Sequence, residues 1–280
     1  MSRLYVVATP IGNLGDLSER GRTVLAAVDL IACEDTRHTA QLLSHIGIRV
    51  PMLALHEHSE RDVTGAIIGR LQGGEQVALV SDAGTPLISD PGFNLVAACH
   101  EAEIPVVPVP GPSAGVAALS AAGLPTDRFV FEGFLPARHI ARCKRLQALR
   151  SERRTMVFYE APHRVRASVS DLLDVFGGER EVAVAREITK VYEQIWKTTL
   201  VSLDLALKDG SVPARGEFAL VLAGNRDVLE ETDDEVVALL TILLDELPAS
   251  RAANLAAKIT GRKKREVYEI AIALKTASPS

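Results

Sequence analysis

Four short stretches gather residues suited to holding a small ligand. They are Ala8-Thr9-Pro10-Ile11-Gly12-Asn13-Leu14, Ala32-Cys33-Glu34-Asp35-Thr36-Arg37, Ser81-Asp82-Ala83-Gly84-Thr85-Pro86 and Pro110-Gly111-Pro112-Ser113-Ala114. Each sits at the end of a short apolar run that reads as a buried strand. Glycine lets backbone approach a ligand closely, and proline holds a loop's shape at low entropic cost. Open α/β sheets bind ligands outside the carboxyl ends of their strands. Four such loops on one edge therefore outline a binding site. A second group, Phe158-Tyr159-Glu160-Ala161-Pro162-His163-Arg164 and Ala185-Arg186-Glu187-Ile188-Thr189-Lys190 with Glu193, clusters charged and polar side chains after two further strands. It suits the second wall of a cleft, or an ion-pair network at an interface.

Other chemistries lack their signatures. No Gly-x-Gly-x-x-Gly follows the first strand and no Gly-x-x-x-x-Gly-Lys-Ser/Thr occurs, which disfavours a dinucleotide dehydrogenase and removes a P-loop NTPase. No Gly-x-Ser-x-Gly elbow supports a serine hydrolase. His56-Glu57-His58 has no third ligand at a metal-site spacing and reads as a solvated loop, so no metal is expected. Cys33, Cys99 and Cys143 form no Cys-x-x-Cys pair. Sparse, odd thiols fit a reducing cytoplasm. No signal-type segment opens the sequence, and no stretch reaches the length of a membrane span.

The elements that must position these loops follow from periodicity and punctuation. Strands are expected at Leu4–Thr9, Val28–Cys33, Met52–Leu55, Val77–Ser81 and Val106–Val109. Helices are expected at Ser18–Ala27 with Ser18 as N-cap, Thr36–Ile46 stopping at Gly47, Asp62–Leu71, Gly92–Ala102, and onward from Ser113. Continuous apolar strands alternating with helices indicate a parallel sheet covered on both faces. The pattern changes near Ala122–Thr126. Strands Phe129–Glu132, Met156–Tyr159 and Val182–Arg186 and helix Val165–Phe176 follow, then long neighbouring strands Gln194–Val201 and Phe218–Ala223 of antiparallel character. After the acidic stretch Glu230–Glu235 come three helical segments, Asp233–Glu246, Ala249–Ile259 and Lys263–Leu274, a helix-turn-helix-like appendage. The expected division is 1–124, 125–229 and 230–280.

The 280 residues are 47% hydrophobic, 24% charged and only 4% aromatic, an ordinary globular composition that disfavours a protein built on base-stacking platforms. Net charge is −5, but its distribution is uneven. Arg138–Arg154 holds seven basic residues and one acidic, and Arg251–Lys275 holds seven and two. Two basic islands on an acidic body favour a polyanionic substrate over two solvated helix faces.

Leu4–Leu14, Glu34-Asp35-Thr36-Arg37, Ser81–Pro86 and Pro110–Ala114 resemble the amino-terminal domain of the tetrapyrrole methylase superfamily. Tyr159–Arg164 and Arg186–Lys190 are similar to its ribosomal RNA branch, and the likeness covers essentially the whole chain. Porphyrinoid-modifying relatives typically carry Gly-Gly-Asp-Pro where this chain has Asp82-Ala83-Gly84-Thr85-Pro86, which argues against a tetrapyrrole substrate. The resemblance implies S-adenosylmethionine in a cleft between two α/β domains, a homodimer, and 2′-O-methylation of a cytidine in the decoding region of small-subunit ribosomal RNA. It implies cofactor contacts from Pro10, Asp82, Gly84, Thr85, Ile88, Ser113, Ala114 and Tyr159, with the Phe218–Leu222 strand in the second wall. Phosphate contacts are implied for Arg262, Lys263, Lys264 and Arg265 in the helical extension. A ribose hydroxyl is a poor nucleophile and needs a base or nearby positive charge. Glu34, Asp35, Glu187 and Lys190 are the candidates, and the residues alone do not choose among them. Arg37, Arg164 and Arg186 are candidates to hold flanking phosphates. A small-molecule methyltransferase and a non-catalytic RNA-binding or assembly factor stand as alternatives; the basic islands weigh against the first, and tight S-adenosylmethionine binding would weigh against the second.

Overall fold

The computed structural model describes residues 2–55, 60–225 and 233–277, so His56-Glu57-His58 and the start of the acidic stretch lie outside the described residues. The chain gathers into two compact units, Met1–Asn225 and Arg226–Ser280.

The first unit holds two five-stranded sheets. Strands β1 (Arg3–Val7), β2 (Leu30–Cys33), β3 (Met52–Ala54), β4 (Gln76–Val80) and β5 (Val106–Val109) form the first, in the order β3-β2-β4-β1-β5. Every pairing in it is parallel, for example Leu4 with Val77 and with Val106. Leu30, Ile31, Ala32 and Cys33 are all buried, as strands covered on both faces must be. Helices α1 (Glu19–Ala27), α2 (Thr36–His45), α3 (Glu60–Gln72) and α4 (Phe93–Glu101) make the crossovers. Ser18 caps α1 as expected, accepting the Gly21 N–H. Because all five strands run the same way, the loops after β1, β2, β4 and β5 emerge on one edge.

The second sheet is mixed. It comprises β6 (Phe129–Phe134), β7 (Thr155–Glu160), β8 (Glu181–Arg186), β9 (Gln194–Thr199) and β10 (Phe218–Leu222), ordered β6-β7-β10-β8-β9. Only β6 and β7 are parallel. Side chains alternate across it. Met156, Phe158, Val182, Val184 and Leu220 face a core built with α6 (His139–Ala148), α7 (Val165–Phe176) and α8 (Leu200–Asp209). Val157, Ala183, Ala185, Ala219 and Val221 face Ala118 and Leu119 of α5 (Ala114–Ala121) and Ala122 at its C-cap. Helix α5 thus opens at the edge of the first sheet and packs on the second.

Two expectations fail here: β9 and β10, expected side by side, are separated by β8, which pairs antiparallel with both, and a helix replaces the end of an expected strand. The strand expected to run to Val201 ends at Thr199, whose hydroxyl accepts the Ser202 N–H and caps α8. Leu200, Leu203 and Leu207 then bury one helical face.

Among the described residues, the second unit holds three helices, α9 (Asp233–Glu246), α10 (Ala249–Thr260) and α11 (Lys264–Ala277). Val236, Leu240, Ala252, Ala253, Ala256, Ala257, Val267 and Ala271 form its own core. The small residues of α10 are those expected to permit close helix packing. Among the described residues, no helix is long and apolar enough to cross a membrane.

Candidate active site

Hydrogen bonds tie the four loops of the first sheet to one another. Thr9 and Gly84 exchange backbone bonds of 2.9 and 3.1 Å, joining the loops after adjacent β1 and β4. The Thr9 hydroxyl donates to the Ser81 carbonyl at 3.1 Å, and the Thr85 hydroxyl to the Pro112 carbonyl at 2.9 Å. The Asp35 N–H donates to Asp82 Oδ1 at 3.0 Å. Gly84 has φ +88°, a conformation other residues adopt only with strain, and a Cβ there would lie 3.2 Å from Ile11.

Above these loops lies a cavity of about 520 Å³, within the range of small-molecule sites. The far wall comes from the second sheet: Phe134, Tyr159 to His163, Ala185, Ile188 and Glu217 to Ala219. Tyr159 joins the walls. Its oxygen accepts the Gly115 N–H at 2.7 Å, and its ring stands edge-on to Phe131 and Phe134 with centroids 5.0 and 5.7 Å away. Burial pushes its phenol up.

Asp82, Gly84, Thr85, Ile88, Ser113, Ala114, Tyr159 and Glu34 all line the cavity. Pro10 does not; its neighbour Ile11 does. The other expected bases lie elsewhere. Asp35 caps α2 by accepting the Arg37 N–H at 2.8 Å, and its carboxylate pairs with the Arg37 guanidinium at 2.7 Å. That pairing holds Asp35 well below the usual carboxylate range, which makes it a poor proton acceptor. Burial would raise Glu187, but the Glu217 N–H and the Lys190 ammonium prevail and lower it. Burial would likewise lower Lys190, and its contacts with Glu187 and Glu217, both at 3.1 Å, raise it instead. Glu187 and Lys190 are thus a mutually stabilised pair beside the cavity wall.

The candidate phosphate-binding arginines divide. Arg37 is exposed. Arg186 is buried, its guanidinium donating to the Arg215 carbonyl at 2.7 Å and to Gln194 at 2.9 Å. Arg164 is ion-paired to Glu160 at 3.2 Å and donates to the Leu135 carbonyl. Both hold the second sheet's loops in place. In the first basic island, Arg142 pairs with Asp171, Arg145 with Glu132 and Arg154 with Glu152, so much of that positive charge is neutralised internally. In the second island, Lys263 and Arg265 are 86% and 90% exposed, in i,i+3 and i,i+4 pairs with Glu266 and Glu269.

Asp90 was not among the expected site residues. It lines the cavity, and burial together with the charges of Glu34 and Asp82 pushes its carboxyl up to about 6, against the lowering effect of a Ser81 hydrogen bond. The available signal was a repeat: Ser89-Asp90-Pro91-Gly92 follows Ser81-Asp82-Ala83-Gly84 eight residues on. Carboxylates dominate the cavity's charge. Glu34, Asp82, Asp90, Glu160 and Glu217 line it, with no lysine or arginine among the described lining residues. Such a site suits an organic cation. Away from the cavity, His139, Cys143 and Asp171 come together, but Asp171 receives the Arg142 guanidinium at 2.6 Å.

Residues 3–204 match the family model described as tetrapyrrole (corrin/porphyrin) methylases, and residues 230–275 match that of the RsmI C-terminal HTH domain. Over 271 residues the chain is 53% identical to ribosomal RNA small subunit methyltransferase I of Pseudomonas aeruginosa, covering 96% of each. It is 48% identical to the protein of the same name from Escherichia coli O157:H7, covering 96% of this chain and 94% of that one. Among solved structures, uroporphyrin-III C-methyltransferase of Thermus thermophilus complexed with S-adenyl homocysteine aligns at TM-score 0.54 and 16% identity, over 79% of this chain and 97% of that one. At that identity the likeness concerns the fold.

Proposed function

The chain belongs to the ribosomal RNA small subunit methyltransferase I family of tetrapyrrole methylases, and from that premise we propose that it methylates the 2′-hydroxyl of a cytidine in the decoding region of small-subunit ribosomal RNA. S-adenosylmethionine is the methyl donor of this family's reaction. The cavity's donor set fits that cofactor: the carboxylates complement its sulfonium and ammonium charges, while Ile11, Ile88, Ala114 and Ile188 offer apolar surface to its adenosine. When bound, it supplies an electrophilic methyl group. The protein's part is to hold the reacting hydroxyl in line at about 3–3.5 Å and to remove its proton.

On this reading the two sheets, 1–124 and 125–229, provide the walls, and 230–280 provides backbone contacts to RNA through Arg262, Lys263, Lys264 and Arg265. Arg37, exposed in the first turn of α2, adds a phosphate contact. Two copies associate through the methylase unit; light scattering at micromolar concentration should give about twice 30.1 kDa, and a monomer mass would refute it. The acidic, arginine-free cavity is the observation that carries the functional reading. Mass mapping of ribose methylation in small-subunit RNA tests it. A strain lacking the protein should lose one cytidine 2′-O-methyl group, restored by the wild-type chain. An unchanged methylation map would overturn the assignment.

A further inference from the structure

Asp90 sits on an arch of unusual backbone. Leu87 and Ser89 have φ of +72° and +73°, and Gly92 has +125°. Non-glycine residues rarely hold positive φ, and they persist there where the surroundings impose it. The surroundings here include the opposite wall: a Cβ on Gly133 of β6 would lie 3.0 Å from the Ser89 hydroxyl. The arch thus spans from the end of β4 to the second sheet and presents Asp90 to the cavity between them.

Of the cavity's other carboxylates, Asp82, Glu160 and Glu217 each have a partner, and the charge of Glu34 acts on Asp90. Asp82 accepts the Asp35 N–H. Glu160 is buried and accepts from Ser168 and the Ala161 N–H while pairing with Arg164. Glu217 pairs with Lys190. Glu34, Asp82 and Ser81 face Asp90 from the first sheet's loops, Tyr159 from β7, and His163 lines the opposite wall. Among the described residues, no cation is one of the groups that shift its charge.

We propose that Asp90 is the general base, its carboxylate receiving the proton of the ribose 2′-hydroxyl. This rests on the functional reading above. The hydroxyl gives its proton to an Asp90 oxygen as its own oxygen bonds the methyl carbon, and the carbon–sulfur electron pair remains on sulfur. A carboxyl raised towards neutrality is a better proton acceptor than an ordinary aspartate, as Brønsted behaviour requires.

Single-turnover methylation of small-subunit RNA as a function of pH tests the assignment, with S-adenosylhomocysteine calorimetry beside it. The wild-type rate should rise with pH to a plateau, with a midpoint near 6. Asp90→Asn should keep S-adenosylhomocysteine affinity within threefold, lose about 10²–10⁴ in rate, and lose that limb. Asp90→Glu should recover part of both. Histidine as a class titrates in the same range, so the limb must survive His163→Gln. Without any RNA, carbon-13 spectra should show one carboxyl titrating near 6 that is missing from Asp90→Asn. Asp90→Asn at a third or more of the wild-type rate, or losing S-adenosylhomocysteine binding, would overturn the assignment. So would a wild-type profile flat from pH 5 to 8, which needs no variant to fold. A wild-type protein that binds S-adenosylhomocysteine but methylates no small-subunit RNA would overturn the functional reading, and the base with it.

Discussion

Gly84 and Asp90 carry opposite kinds of constraint within one loop. At Gly84 the backbone, at φ +88°, demands the absence of a side chain, and Ile11 leaves little room for one. Gly84→Val should leave the fold intact while S-adenosylhomocysteine affinity drops at least tenfold, since the free loop relaxes to relieve the strain and about 1.4 kcal/mol to regain its binding shape suffices. Calorimetry with a melting curve separates the two effects, and unchanged affinity would remove the loop from the site. At Asp90 the burden is electrostatic. Its folded carboxyl is raised from 3.8 to about 6. The neutral form is favoured in the folded state, so this residue's contribution to stability is fully present below pH 3.8 and is lost as pH rises through about 6. Asp90→Asn, which cannot ionise, should therefore be more stable than wild type at pH 7.5 by about 1–3 kcal/mol. The difference should shrink to well under about 1 kcal/mol near pH 4. Chemical denaturation at the two pH values measures it, and a variant less stable than wild type at pH 7.5 would contradict the sign.

Among the elements, α6 and α7 are joined by a buried ion pair. Arg142 and Asp171 are 5% and 7% exposed and 2.6 Å apart, and the guanidinium also donates to the Pro136 and Ala137 carbonyls. Asp171→Ala leaves a buried cation without its partner and should cost about 3–5 kcal/mol by urea titration. Replacing the pair together, Arg142→Met with Asp171→Leu, should restore most of that. This pair also marks where the sequence stopped being readable. Arg142 and Arg145 read as part of a basic face because sequence spacing does not reveal partners on another element. The strands and helices of the first sheet were legible because each apolar run is bounded by its own cap or glycine, as with Ser18 and Gly47. Helix α8 was not, because Gln194–Leu200 carries a strand pattern directly into it and only Thr199 marks the change. The same limit applied to the site. Asp82, Gly84 and Tyr159 stand in recognisable loops, whereas Asp90 matters only once β6 and β7 are brought against its arch.

At the scale of the whole molecule, the helical unit with its own core should serve RNA and leave the cofactor alone. Changing Lys263, Lys264 and Arg265 together to alanine should weaken RNA binding and reduce the salt slope by about two to three contacts, each worth about 0.7–0.9 log units. S-adenosylhomocysteine affinity should not move. Wild-type behaviour across a salt series would make the basic stretch a solvated helix face. The order β6-β7-β10-β8-β9 has a consequence in time as well as in space. Chains emerge from their amino end and fold as units become complete. The first sheet is complete at residue 109, yet β10, between β7 and β8, arrives only at 218–222. Until then β7 and β8 lack the strand that joins them, and the cavity lacks Phe218 and Ala219. A nascent chain therefore has no competent pocket for most of its synthesis and acquires one within a few residues. Chains ending at residue 209 should fail to retain S-adenosylhomocysteine, and chains ending at residue 225 should hold it as tightly as the full-length protein.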